Sequence, residues 1–306
     1  MRETESSRGR RTCFAIVTLD ESYEKCLELT RSHYENFPVA RLIPARLRKH
    51  VAAVYAFART ADDIADEGYG LAENTVESRL AALARFDEQV LAAVENRPLD
   101  PDTAWIFLAL GDTLRRFDIP AQLCLDLTSA FAQDVTKRRY ADFAEVLDYC
   151  RRSANPVGRL VLLLHGLKDD RMFRESDAIC TGLQLANFWQ DISVDWKKDR
   201  RVYLPVEDLQ KFGCAIEDLG RSEATPAVRE CIRFNVDRAQ GLFDIGKPLP
   251  GRLPFPLSLE IRVTWLGGTA ILKKIREQNH DSVRSRPKIG KADKVTLLLK
   301  ALCGIM

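Results

Sequence analysis

Two short stretches of this chain carry carboxylates at a spacing that a helix gathers onto one face. The first reads Tyr55-Ala-Phe-Ala-Arg59-Thr-Ala-Asp62-Asp63-Ile-Ala-Asp66-Glu67, and the second reads Gln184-Leu-Ala-Asn187-Phe-Trp-Gln190-Asp191-Ile-Ser-Val-Asp195-Trp. On helices, Tyr55, Arg59, Asp62 and Asp66 form one stripe, and Gln184, Asn187, Asp191 and Asp195 form another. Like charges at i and i+4 repel and cost helix stability unless a cation lies between them. Both stripes are also surrounded by apolar residues: Val51 to Ala58 before the first, and Leu183, Leu185, Phe188, Trp189, Ile192 and Val194 around the second. Carboxylates carried into a core must be paired or must ligate a metal. Oxygen donors with no Cys or His among them suit magnesium.

A bland reading competes. A lone D-D-x-x-D can be a polar helix end, with Arg59 pairing Asp62 or Asp63 and with Asp63 and Glu67 in water. The second stripe shifts the balance, because a helix apolar on most sides is buried and its line of amide and carboxylates then needs a partner. Two such helices facing each other across a cavity could hold metal ions between them. After the second stripe comes Lys197-Lys198-Asp199-Arg200-Arg201-Val-Tyr203-Leu-Pro205. Such a run is usually a solvated face, but beside a metal site its cations could close over a diphosphate and neutralise it as it leaves. No nucleophile elbow, phosphate-binding P-loop or dinucleotide fingerprint occurs, and the four histidines are too scattered for a zinc site.

The elements that must position these stripes are helices. Helical period is predicted over 21–35, 45–67, 75–96, 101–116, 120–138, 142–151, 155–166, 172–195, 224–245, 256–279 and 291–303. Breakers fall between them, at Pro98, Pro120, Pro205 and Pro248 to Pro256. No segment alternates like a strand. The expected architecture is all-α: a loose tail over residues 1–18, then a single helical domain over 19–306. With 46% hydrophobic and 29% charged residues and a net charge of +2, the composition is globular and gives no electrostatic reason to expect nucleic acid. No apolar run approaches the ~18–20 residues of a spanning helix. Eight dispersed cysteines without a C-x-x-C pair, and no leader, lead us to expect free thiols in a reducing cytoplasm.

The same segments, together with His33-Tyr-Glu-Asn-Phe-Pro-Val-Ala40, Tyr149-Cys-Arg-Arg-Ser-Ala-Asn-Pro-Val-Gly158 and Arg201-Val-Tyr-Leu-Pro205, resemble the squalene/phytoene synthase family, from His33 to about Ala301. The match is nearest to its bacterial hydroxysqualene-forming branch. The resemblance implies an isoprenoid-synthase-like helical bundle around a deep central cavity. By the family's pattern, Asp62, Asp66, Asn187, Asp191 and Asp195 would hold Mg2+. Arg59 would contact diphosphate, and Tyr55 and Tyr203 would lie at the cavity with Arg59 as catalytic groups. His33, Gln184, Lys198 and Arg201 would join Arg59 in binding substrate. The turn Asn155-Pro156-Val157-Gly158 would break a helix against the channel.

Two departures stand out. Gln190 replaces an arginine found before the second motif in many members that condense two prenyl diphosphates, and the stretch from Asp195 to Tyr203 is one residue longer than usual. Fewer cations suit a site for one diphosphate. The implied activity is therefore magnesium-assisted ionisation of presqualene diphosphate, rearrangement, and capture by water as hydroxysqualene. Condensation of two prenyl diphosphates by a presqualene diphosphate or phytoene synthase is the nearest rival. A magnesium-dependent phosphohydrolase and a non-catalytic helical scaffold are more distant ones. The expected partner is an isoprenoid diphosphate. So greasy a substrate also leaves room for peripheral contact with the inner membrane or with an upstream presqualene diphosphate synthase, although no amphipathic basic helix stands out.

Overall fold

The computed structural model describes residues 17–33 and 43–306. Most of the expected tail and the segment after His33 lie outside the described residues. Twelve α-helices follow among the described residues: α1 (Leu19–His33), α2 (Ala45–Glu67), α3 (Val76–Val94), α4 (Ala104–Phe117), α5 (Gln122–Thr136), α6 (Phe143–Ser153), α7 (Asn155–Leu164), α8 (Asp170–Asp199), α9 (Val206–Lys211), α10 (Pro226–Gly246), α11 (Leu257–Glu277) and α12 (Lys291–Leu302). There is no strand among the described residues, in agreement with the all-α expectation. Eleven helices lie where the periodicity places them. The short α9 and two 3-10 turns, Ile216–Gly220 and Leu249–Arg252, were not expected, because four to six residues are too few to show a period.

Local chemistry starts several helices. The Asp142 and Asp169 side chains accept from the backbone N–H groups of Glu145 and Met172, both at 2.8 Å, and Thr225 caps α10 just ahead of Pro226. The two carboxylate-bearing helices end in the same way. Past α2, Gly68 turns to φ 66°, and past α8, Arg200 turns to φ 53°, so each chain reverses within a few residues of its last Asp.

Packing divides into two large apolar clusters and one small one. Phe57 of α2 sits at 0% exposure among Phe86, Phe107, Leu110 and Leu127 from α3, α4 and α5. Trp189 of α8, also at 0%, sits among Leu185, Phe243, Trp265 and Leu272, which come from α8, α10 and α11. Burying a side chain of this size contributes about 1.5–3 kcal/mol. The small cluster joins α1 to α2 through Cys26, Ala52, Ala53 and Ala56, small groups that let two helices lie close. The two Asp-bearing helices thus centre different clusters. α5 and α7 each contact α2, and α7 also packs on α8, whereas α2 and α8 have little direct contact. α7 can lie tightly on α8 because Gly158 has no side chain; a Cβ there would come within 2.6 Å of Cys180 Sγ. The described cysteines are all free thiols.

Candidate active site

The sequence pattern of α2 explains its two faces. Ala53, Phe57 and Ile64 are buried, while Val51, Tyr55, Ala58, Arg59 and Asp62 form a half-buried line that ends at the exposed Asp66. Arg59 is committed mainly to Asp63: its Nε donates to Asp63 Oδ2 at 3.0 Å and its Nη2 lies 2.5 Å from Oδ1, against 3.6 Å to Asp62. Asp62 is left as the less neutralised group. Its carboxyl is pushed up to about 6, first by burial and then by the neighbouring Asp66 carboxylate.

α8 repeats the arrangement in a more apolar setting. Leu185, Phe188, Trp189 and Ile192 are buried, and Gln184, Asn187, Asp191 and Asp195 occupy the face left open. Asp191 Oδ2 accepts from Arg286 Nη2 at 3.0 Å. The Arg286 guanidinium also lies beside Oδ1, yet this buried oxygen receives no aligned hydrogen bond. Asp195 is pushed up to about 7 by burial and then by Asp191, against the pull of Arg201, Lys198 and Arg286.

The reversal after α8 joins the two stripes. Lys198 Nζ reaches Asp66 Oδ2 at 3.3 Å. Arg201 Nη2 donates to the Asp134 carbonyl at 2.8 Å, and its Nη1 donates to Tyr203 Oη at 3.2 Å. Asp134, on α5, also accepts from Tyr149 Oη at 2.5 Å, and burial raises its carboxyl above the usual range. Tyr203 lies flat on Phe188, with centroids 3.5 Å apart and planes 8° from parallel, and Tyr140 and Tyr149 complete an aromatic wall. Tyr55 is half-buried, with its hydroxyl raised by burial.

Tyr55, Arg59, Asp62, Asp66, Lys198, Arg201, Tyr203, Asp191 and Asp195 therefore form one connected region through Lys198, Arg201, Asp134 and Arg286. Gln184 and Asn187 share the open face of α8. The side chain of His33 lies outside the described residues. Of the basic run, only Lys198 and Arg201 engage the region; the Arg200 guanidinium lies 4.7 Å over the Trp196 ring instead. Gln190, which stands where many members carry an arginine, is buried at 9% exposure, and its Nε2 donates to the Pro287 carbonyl at 2.6 Å, so it fastens the segment after α11. The neighbouring Arg286 brings the cation to Asp191. Asp134 and Arg286 were missed. A lone Asp on α5 and an Arg in a connector have no spacing signature, and their partners are 67 and 95 residues away in the chain.

The donors suit a hard cation, being carboxylate and amide oxygens only, with two like-charged pairs under repulsion. Among the described residues no three or more His, Cys, Asp or Glu side chains surround a single point.

Comparison with known proteins reaches most of the chain. Residues 29–293 match the family model described as squalene/phytoene synthase. The hydroxysqualene synthase of Rhodopseudomonas palustris is 36% identical over 252 residues, which is 82% of each chain. The phytoene synthase of Thermus thermophilus is 29% identical and covers 93% of this chain and 94% of its own. Among solved structures, the squalene synthase HpnC of Alicyclobacillus acidocaldarius superposes with a TM-score of 0.78 at 42% identity, covering 86% of this chain and 95% of that one. A dehydrosqualene synthase at 21% identity shares the fold, with a TM-score of 0.77.

Proposed function

Because this chain belongs to the squalene/phytoene synthase family, whose members are enzymes acting on prenyl diphosphates, we propose that it converts presqualene diphosphate and water into hydroxysqualene and diphosphate. The observation that carries this reading is the pair of carboxylate stripes on α2 and α8, linked by Lys198 to Asp66 and flanked by Arg59, Arg201 and Arg286. The hydroxysqualene synthases at 36% and 37% identity support the choice within the family.

In this reading Asp62, Asp66, Asn187, Asp191 and Asp195 hold Mg2+, which when bound supplies positive charge to the diphosphate oxygens. In the same reading Arg59, Lys198 and Arg286 would share that charge. The carbon–oxygen bond to the cyclopropylcarbinyl carbon breaks, and both electrons leave with the diphosphate. The cation then rearranges before bulk water reaches it. One water adds its oxygen to the rearranged cation, and the proton it sheds leaves with diphosphate. Arg201, tied to Asp134, holds the Tyr203 hydroxyl and so keeps that ring stacked on Phe188 in the aromatic wall.

One observation favours a second reading. Arg286 supplies a cation beside Asp191 in spite of Gln190, so the α8 stripe is not short of positive charge, and condensation of two prenyl diphosphates stays open. Incubating the protein with Mg2+ and presqualene diphosphate, without a nicotinamide cofactor, should give hydroxysqualene, while farnesyl diphosphate alone should be consumed far more slowly. Comparable turnover of farnesyl diphosphate to presqualene diphosphate would replace the first reading with the second. A requirement for NADPH with squalene as product would overturn both.

A further inference from the structure

The last helix is apolar on two sides, and only one side is covered. α12 packs on α11 through Leu297 and Ala301, with Asp293 tied to Lys274 at 2.9 Å and the Ala301 carbonyl accepting from Arg262 at 2.9 Å. On its outer side Val295, Leu298, Leu299 and Leu302 recur at helical spacing and remain 60, 46, 57 and 60% exposed. Lys291 extends this stripe toward the helix start and Lys294 flanks it. Among the described residues, Lys288, Lys291 and Lys294 have no carboxylate partner, whereas Asp293, the one acid of α12, is already neutralised by Lys274. Phe255, 78% exposed, stands two residues before α11. The Arg262–Ala301 contact puts Leu302 at that same end of α11.

We propose that this outer face of α12 docks the protein on the surface of an anionic lipid bilayer. Apolar side chains in a row, bordered by unpaired lysines, match the acyl boundary and the negative headgroups together. The helix has 12 residues, or about 18 Å, against the ~30 Å of a hydrocarbon core, so it lies on the membrane and does not cross it. A second copy of the chain is the poorer occupant. A strip ~18 Å long and ~10 Å wide offers about 200 Å2, well below the ~800 Å2 per partner of a stable interface. The periodicity gave no sign of this face, because which side of a doubly apolar helix is covered depends on where α11 lies.

Co-sedimentation of the full chain with vesicles tests the assignment. Wild type should pellet with equimolar phosphatidylglycerol and phosphatidylcholine, less with phosphatidylcholine alone, and less in high salt. The combined variant Val295→Ser, Leu298→Ser, Leu299→Ser and Leu302→Ser should bind at least tenfold more weakly with its helical circular dichroism unchanged. A second variant, Lys291→Glu with Lys294→Glu, should lose the preference for anionic lipid. Wild type that stays in the supernatant, or variants that bind as wild type does, would overturn the proposal. So would a wild-type dimer that the serine variant makes monomeric without any vesicle binding, which would assign the face to a second copy.

Discussion

Two of the polar clusters among the described residues of this helical bundle differ in whether their groups are satisfied. At the junction of α1, α2 and α4, Tyr23 Oη donates to Asp112 Oδ2 at 2.6 Å and Thr113 Oγ1 donates to the Ala109 carbonyl at 2.8 Å. Both hydroxyl protons are thereby used, so His50 Nδ1, 3.0 Å from Tyr23 Oη and 2.9 Å from Thr113 Oγ1, must be the protonated nitrogen that donates to them. His50 is 1% exposed, and its ring meets Phe117 edge-on. This cluster is closed and holds three helices together. The carboxylate stripes are open: Asp62 and Asp195 are pushed up to about 6 and about 7 by burial and by a neighbouring carboxylate. A closed cluster stabilises the fold, whereas an open one is stabilised by a ligand. This difference separates function from architecture better than burial does.

The contrast predicts opposite responses to substitution. Asp62→Asn or Asp191→Asn should lower turnover by at least about 100-fold, near 3 kcal/mol of lost transition-state stabilisation. At Asp62, which has no close ion pair, removing a repelling charge should leave thermal stability unchanged or raised. Steady-state rates beside melting curves decide this; near-normal turnover with intact helicity would remove the stripes from the chemistry.

The closed cluster should answer in stability alone, by a smaller amount. Burial holds His50 neutral down to about pH 4, with Lys49 and Arg116 disfavouring its charge and Asp112 favouring it, whereas an unfolded histidine takes up a proton near 6.5. Between those values the unfolded chain binds more protons, so stability falls as pH drops, and the contribution is complete above about 6.5. From pH 6.5 to 5 this amounts to about 2 kcal/mol. Urea unfolding across that window should show the slope in wild type and a flatter line in His50→Gln, with diphosphate binding at neutral pH unchanged. Equal slopes would mean that His50 is not the group responsible.

The open stripes were legible in the sequence and the closed cluster was not, for the same physical reason. Carboxylates at i and i+4 share a face by helical geometry alone, so Asp62, Asp66, Asp191 and Asp195 could be picked out from spacing. α8 was readable as a buried helix because Leu185, Phe188, Trp189 and Ile192 surround its polar line. Tyr23, His50 and Thr113 meet only through the packing of three helices, and each looks unremarkable alone. Gln190 shows the limit most clearly. One residue from Asp191 it is turned about 100° around the helix, and only the course of the chain after α11 decides that it meets Pro287 and that Arg286 meets Asp191.

The central claim, that the paired stripes are completed by a magnesium-bound diphosphate, is tested most directly by isothermal titration of the wild-type protein and the Asp62→Asn, Asp191→Asn double variant with inorganic diphosphate, with and without Mg2+. Wild type should bind diphosphate with Mg2+ present and at least tenfold more weakly after EDTA, and the double variant should gain nothing from Mg2+. Equal affinity with and without Mg2+, or a Mg2+ effect that survives in the double variant, would contradict the account.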